Sequence, residues 1–237
     1  MITRYYDDKN KLSTAAAEFF AEESANAIAR KGYFSVALSG GSTPIDIFDE
    51  MLNEPFRDSI QWEKIFFFWG DERYVPVDDQ RNNSHMAFKH LLNHVNVPSG
   101  NIFPIPTSFA PEKCADIYEE LLRTFMKDHP GPLDLIWLGL GSNAHTASLF
   151  PGSPVLKETR RWVVSDFVEE AGMYRITFTA HFINQASNVV FIVSGSDKAE
   201  AFKNVTGENY DPEKYPAQLI KPDNGKLYWL VDKSVIT

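Results

Sequence analysis

At 237 residues, 43% hydrophobic and 14% aromatic, the chain carries enough apolar material for a sizeable core, and residues 1–237 read as a single domain. Lys and Arg total 23 against 32 Asp and Glu, a formal net charge of −9, which argues against nucleic acid or an anionic membrane as partner and requires any anionic ligand to be held by a local basic cluster. One cysteine, Cys114, excludes a disulfide framework and a cysteine zinc site; no apolar run reaches spanning length and residues 1–8 lack a signal-peptide core, so cytoplasmic residence is expected.

Residues 11–31 carry Leu12, Ala15, Ala16, Phe19, Phe20, Ala27 and Ile28 at helical spacing and stop at Gly32. Residues 33–38 read as a strand, followed by Ser39-Gly40-Gly41-Ser42-Thr43-Pro44. Thr43 suits an N-cap and Pro44 the first helical position, so strand, glycine turn and helix start follow one another. Unpaired N–H groups and the helix dipole make such a turn a phosphate cradle, with Gly41, Ser42 and Thr43 as its candidates. The spacing and lysine of a Walker loop are missing, and an ordinary capped helix start is the competing reading.

Residues 64–69, KIFFFW, form the next buried strand and run into a polar loop holding Asp71, Arg73 and Arg81. Arginine forks suit bidentate phosphate binding, whereas ion pairing within the loop is the plainer alternative. A helix beginning near Asn82 or Ser84 carries His90 and His94 four apart, but the H-E-x-x-H zinc motif is absent because position 91 is Leu. Residues 111–128 form a further helix whose apolar stripe includes Cys114, which makes that thiol a core residue.

The most informative stretch is Leu133 to Pro154. A buried strand ends in Gly139-Leu140-Gly141-Ser142-Asn143-Ala144, and His145 follows directly. In open α/β sheets ligands bind beyond the carboxyl ends of the strands, which places this histidine well for chemistry. Gly139, Gly141 and Ala144 also fit a dinucleotide fingerprint, but the loop is mid-chain, and Pro151 and Pro154 leave room only for a short helix. A tight turn with a structural histidine is the third reading. Residues 161–167, 174–179, 188–194 and 226–231 read as strands, with Arg175 in the second and Lys198 in a small turn after the third. Alternating strands and helices give a doubly wound α/β fold, a mostly parallel sheet with helices on both faces.

Three loops together resemble the 6-phosphogluconolactonases, within the wider group that includes glucosamine-6-phosphate deaminases. They are Ser39 to Pro44; Trp69 to Arg73 with Arg81 to Ser84; and Gly139 to Pro151, ending in His-Thr-Ala-Ser-Leu-Phe-Pro. Arg175 to Thr179, Gly195 to Ala199 and Tyr215 to Ala217 extend the match along nearly the whole chain. The resemblance implies a Rossmann-like, sugar-phosphate isomerase type of fold and hydrolysis of a small-molecule phosphorylated lactone, 6-phospho-D-glucono-1,5-lactone, in the oxidative pentose phosphate pathway. It implies His145 as general base, with neither metal nor organic cofactor. Ser42, Thr43, Arg73 and Lys198 are then the leading phosphate ligands, with Arg81 and Arg175 behind them, and amides of the Gly139–Ala144 loop are candidates for the oxyanion. The family usually shows Asp-Gly before this histidine. Here Asn143-Ala144 stands there, so His145 is expected to be less basic than beside a carboxylate. An amino-sugar phosphate deaminase or isomerase, and a non-catalytic sugar-phosphate sensor, are the alternatives. No G-x-S-x-G elbow is present, which argues against a covalent serine mechanism.

Overall fold

The computed structural model describes residues 1–237. Its strands are β1 (Ile2–Tyr6), β2 (Phe34–Leu38), β3 (Ile65–Trp69), β4 (Asp71–Arg73), β5 (Leu135–Leu138), β6 (Val163–Val168), β7 (Met173–Phe178), β8 (Asn188–Val193) and β9 (Lys226–Asp232). The α-helices are α1 (Lys9–Lys31), α2 (Ser42–Met51), α3 (Phe56–Ser59), α4 (Asn83–His90), α5 (Pro111–Asp128), α6 (Ala180–Ile183) and α7 (Ala199–Thr206).

Six strands form one parallel sheet in the order β1-β9-β8-β5-β2-β3. Every residue of β2, β5 and β8 is buried, as expected for central parallel strands covered on both faces. Side-chain alternation shows which helix covers which face. On β3, Phe67 meets Phe20 of α1, while Phe66 and Phe68 meet Phe125 of α5. On β9, Tyr228 meets Phe19 of α1, while Trp229 meets Phe202 of α7. α1 therefore packs on one face, and α5 and α7 on the other. At the amino-terminal end of β5, buried Asp134 accepts hydrogen bonds from the Ser35 N–H and hydroxyl, both at 2.9 Å, and pairs with Lys31 at 2.8 Å. This fixes β2 against β5 at the end of the sheet opposite the glycine loops.

The winding reverses between β2 and β5. From β2 the chain steps outward to β3, then returns to β5 and proceeds through β8 to β9 on the other side. The carboxyl ends of β2 and β5 thus flank a topological switch point, where α/β sheets open a crevice.

Three features depart from the sequence reading. β1 is an extra edge strand, unremarkable in sequence because it is half exposed and short. The segment read as a polar loop after Trp69 begins with β4, which joins β7 and β6 in a separate antiparallel sheet ordered β4-β7-β6. The start of α2 also shifts. The helix begins at Ser42, with Gly41 at the N-cap (φ 102°) and no side-chain cap. Glycine adopts this positive φ without strain, so the chain turns into the helix before Thr43 can cap it. α4 starts as its sequence indicates, with the Asn82 side chain accepting the His85 N–H at 2.9 Å.

Candidate active site

A cavity of about 410 Å³ opens at the switch point. Three elements at carboxyl ends of the parallel sheet build its walls: the turn from β2 into α2, the loop after β5, and the turn from β8 into α7. The small antiparallel sheet closes the remaining side. Of the residues singled out by sequence, Gly41, Ser42, Thr43, Asp71, Arg73, Gly139, Gly141, His145, Arg175 and Lys198 all line it.

His145 is held from three directions. Its ring stacks on Phe150 with centroids 4.2 Å apart. Gly141 lies so close that a Cβ there would fall 2.0 Å from His145 Nδ1. Nδ1 lies 2.6 Å from Asn143 Oδ1, and the His145 backbone N–H donates to the same oxygen at 3.2 Å. The Asn143 Nδ2 group donates to Glu170 at 2.9 Å. Because a carboxylate only accepts, the amide must turn its oxygen to the histidine, so Nδ1 carries the proton and Nε2 keeps a free lone pair. Burial lowers the imidazole pKa to about 4; Arg175, Lys198 and Arg73 push it the same way, and Asp71 opposes them. His145 is accordingly neutral at pH 7, the protonation state a general base requires.

Arg73 and Arg175 come from neighbouring antiparallel strands and lie directly opposite each other. Both Nε groups are buried without a partner, so each guanidinium has donor capacity to spare. Arg73 Nη1 donates to the Arg81 carbonyl at 2.7 Å, which leaves its other terminal nitrogen uncommitted. Buried Asp71 accepts the Ser148 hydroxyl at 2.7 Å. Lys198 pairs with Asp197 at 2.9 Å from the start of α7. With Arg73, Arg175 and Lys198 against Asp71 and Glu170, the cavity lining is net positive in a chain of charge −9.

Two expectations need correction. Arg81 does not line the cavity: Asp79 takes its Nε at 3.0 Å and its Nη2 at 2.7 Å, so only its backbone carbonyl serves the site, through Arg73. The amides of Gly141 and Ala144 are likewise engaged already. The Gly141 N–H donates to the His145 carbonyl at 2.8 Å and the Ala144 N–H to the Gly141 carbonyl at 2.9 Å, so both close the turn rather than face an oxyanion. Ala144 itself is buried in the core with φ 65°, a left-handed conformation more natural to glycine.

Sequence reasoning passed over Glu170, Phe150 and Asn83, which also line the cavity. Asn83 follows the α4 N-cap and donates to the Asp71 carbonyl at 2.9 Å; a Cβ on Gly40 would lie 1.9 Å from its Oδ1. Phe150 sits within the His-Thr-Ala-Ser-Leu-Phe-Pro run. Its spacing from His145 was available as a signal, but the stacking was not. No local motif marks Glu170. The two histidines on α4 and beyond do not form a metal pair: His90 Nδ1 faces Asp49 at 3.1 Å and His94 Nε2 faces the Lys89 carbonyl at 2.9 Å.

Comparison with known proteins agrees with this geometry. The family model described as glucosamine-6-phosphate isomerases/6-phosphogluconolactonase matches residues 7–229. A 6-phosphogluconolactonase of Synechocystis sp. is 43% identical over 211 residues, 87% of this chain and 85% of its own length. One from Nostoc sp. is 38% identical over 95% of this chain and 92% of its own length. The solved structure of 6-phosphogluconolactonase from Trypanosoma brucei superposes with a TM-score of 0.83 at 27% identity, covering 99% of this chain and 97% of that one. The parallel sheet, the cavity at its switch point and these likenesses lead to one assignment: the chain belongs to the glucosamine-6-phosphate isomerase/6-phosphogluconolactonase family.

Proposed function

We propose that this chain hydrolyses 6-phospho-D-glucono-1,5-lactone to 6-phospho-D-gluconate, a step of the oxidative pentose phosphate pathway. The observation that carries this reading is a histidine whose Nδ1 lies 2.6 Å from Asn143 Oδ1, set in a cavity lined by two arginines and a lysine.

A lactone is an activated ester, so a water molecule and a general base suffice. Nε2 of His145 takes a proton from water as the oxygen attacks the C1 carbonyl. The attack leaves a tetrahedral oxyanion on C1. Collapse breaks the bond from C1 to the ring oxygen, and the imidazolium returns its proton to that oxygen. The carboxylic acid product then ionises. The substrate's phosphate is held by the turn at Ser42 and Thr43 and by Arg73, Arg175 and Lys198. The first N–H groups of α2 have no helical partners there. A bound phosphate dianion offsets the cations that depress His145, so substrate raises the basicity of its own catalyst.

A single folding unit over residues 1–237 and a cytoplasmic setting belong to the same reading. One continuous core of 60 buried residues, from Leu12 to Val235, supports the first. A lone thiol supports the second, and no helix is long and apolar enough to cross a membrane.

The deaminase alternative is disfavoured by the His-Thr-Ala-Ser-Leu-Phe-Pro run from His145 to Pro151 and by relatives 43% and 38% identical over most of the chain, both of them 6-phosphogluconolactonases. The test is incubation with freshly prepared lactone and, separately, with glucosamine 6-phosphate. Acid release above the spontaneous rate, without ammonium from the amino sugar, is the expected result. Ammonium release without lactone hydrolysis would overturn the assignment, and binding of both without turnover would indicate a sensor.

A further inference from the structure

We infer that Glu170 is a positioning residue of this reaction: by holding the Asn143 amide in one orientation it sets which nitrogen of His145 carries the proton. The inference rests on the lactonase reading for its kinetic consequence, but not for its structural one.

Asparagine is symmetric in shape and asymmetric in hydrogen bonding. Turned by half a rotation about its terminal bond, Asn143 would present Nδ2 to the ring. Nδ1 would then have to accept, and the proton would move to Nε2, removing the lone pair that activates water. An aspartate at this place needs no such control, because both its oxygens accept. Asn143 needs it. The His145 backbone N–H favours the productive orientation through a contact of 3.2 Å, and the Glu170 carboxylate favours it through a shorter one of 2.9 Å. Glu170 can only accept, so it admits Nδ2 alone. The carboxylate missing from position 143 thus reappears one hydrogen bond further out, where it orients the histidine's partner instead of charging it.

Glu170 reaches this place from the turn Glu169–Ala171 between β6 and β7, which ends at Gly172 with φ 60°. That turn belongs to the antiparallel sheet that also delivers Arg73 and Arg175. One small sheet therefore supplies both arginines and the orienting acceptor, while the histidine and its amide come from the loop after β5.

The test has two arms. In the first, nitrogen-15 spectra of the His145 imidazole near neutral pH report its tautomer in the ligand-free protein. The expected parent form is protonated at Nδ1, and Glu170→Ala is expected to gain the form protonated at Nε2. In the second arm, Glu170→Ala lowers kcat by about ten-fold without weakening 6-phosphogluconate binding, while Glu170→Gln, whose amide oxygen still accepts from Asn143 Nδ2, keeps most of the parental rate. On an Asn143→Asp background the sign reverses. There Glu170 faces a second carboxylate, so Glu170→Ala, which removes that charge, raises kcat. An unchanged tautomer in Glu170→Ala would overturn the inference, as would the same sign of effect on both backgrounds. If the parent hydrolyses no lactone, the functional reading fails, while the spectra still decide the role of Glu170.

Discussion

Arg73 and Arg175 occupy directly opposed positions on β4 and β7, with both side chains lining the same cavity. Like charges facing each other across an antiparallel pair destabilise it, so the sheet tolerates a local cost at the point where an anion is to bind. Burial also lowers the pKa of Arg175, with the Asp71 carboxylate opposing the shift.

It follows that removing one arginine has opposite effects on binding and stability. Arg175→Gln should weaken 6-phosphogluconate by about 1.5–3 kcal/mol, as expected for a lost charge-assisted hydrogen bond. The same change should leave the ligand-free protein as stable as the parent or more so. Arg73→Gln and Lys198→Ala should weaken the phosphorylated ligand similarly, and an unphosphorylated lactone far less. Calorimetric titration and thermal melts at low salt measure both quantities. Parallel loss of binding and stability would assign the arginines to the scaffold.

Arg81→Ala provides the contrast. Its guanidinium is bound to Asp79 and only its carbonyl meets Arg73, so the truncation should change binding by less than about 0.5 kcal/mol, within the range of surface substitutions. A loss as large as that of Arg175→Gln would show that Arg81 turns inward when ligand arrives.

Replacing His145 by Ala should lower the enzyme-dependent rate by about two to four orders of magnitude, measured above spontaneous hydrolysis. Near-parental turnover in a folded variant would remove His145 from the mechanism.

The pH profile carries a further expectation. The base works when neutral, and the pKa of His145 is lowered to about 4, so the acidic limb of kcat/KM should lie near pH 4 rather than near the ordinary histidine value. In the enzyme–substrate complex the phosphate offsets the three cations, so the limb in kcat should lie at higher pH. Asn143→Asp places a negative charge against Nδ1, raises the pKa, and should move the kcat/KM limb upward. A limb that moves downward contradicts the electrostatic argument.

Much of the site was legible because its chemistry is carried by loops that directly follow buried strands. Phe34 to Leu38 and Leu135 to Leu138 announce themselves as strands by their apolar runs, and the small residues after each mark a turn at a sheet end. Other features were hidden for physical reasons. β4 has the composition Asp-Glu-Arg, which no alternation rule reads as a strand; its pairing with β7 is purely a tertiary fact. Arg81 looked like a ligand because sequence shows an arginine beside carboxylates without showing that Asp79 already holds it. Glu170 lies 25 residues beyond His145 on another sheet, and its contact exists only because the two sheets meet.

Glu72 gives a prediction about stability rather than rate. Its fully buried carboxylate accepts N–H groups from Arg73, Asn83 and Ser84, yet burial outweighs them and raises its pKa to about 7. The folded state therefore holds a proton between about pH 4.5 and 7 that the unfolded state has released, so this group's contribution is complete below 4.5 and declines as pH rises through 7. Glu72→Gln should flatten that decline. The half-buried imidazole of His145 acts in the opposite sense, since its folded pKa is depressed: its contribution is complete above about pH 6.5 and falls as pH approaches 4. Denaturant melts of the parent, Glu72→Gln and His145→Gln across this interval separate the two slopes. An unaltered slope in Glu72→Gln would mean the carboxyl is ionised throughout.

The close approach of Gly141 to the His145 ring also constrains ancestry. Every amino acid reachable from a glycine codon by one base change brings a Cβ, and at this position the Cβ would lie 2.0 Å from an imidazole atom. While the imidazole remains, selection therefore rejects each of those single steps. The converse does not hold, because loss of the imidazole leaves the glycine free to drift. In descendants that abandon the chemistry, position 145 should decay first and position 141 afterwards, and a sequence retaining His145 beside a substituted residue 141 should have displaced the ring.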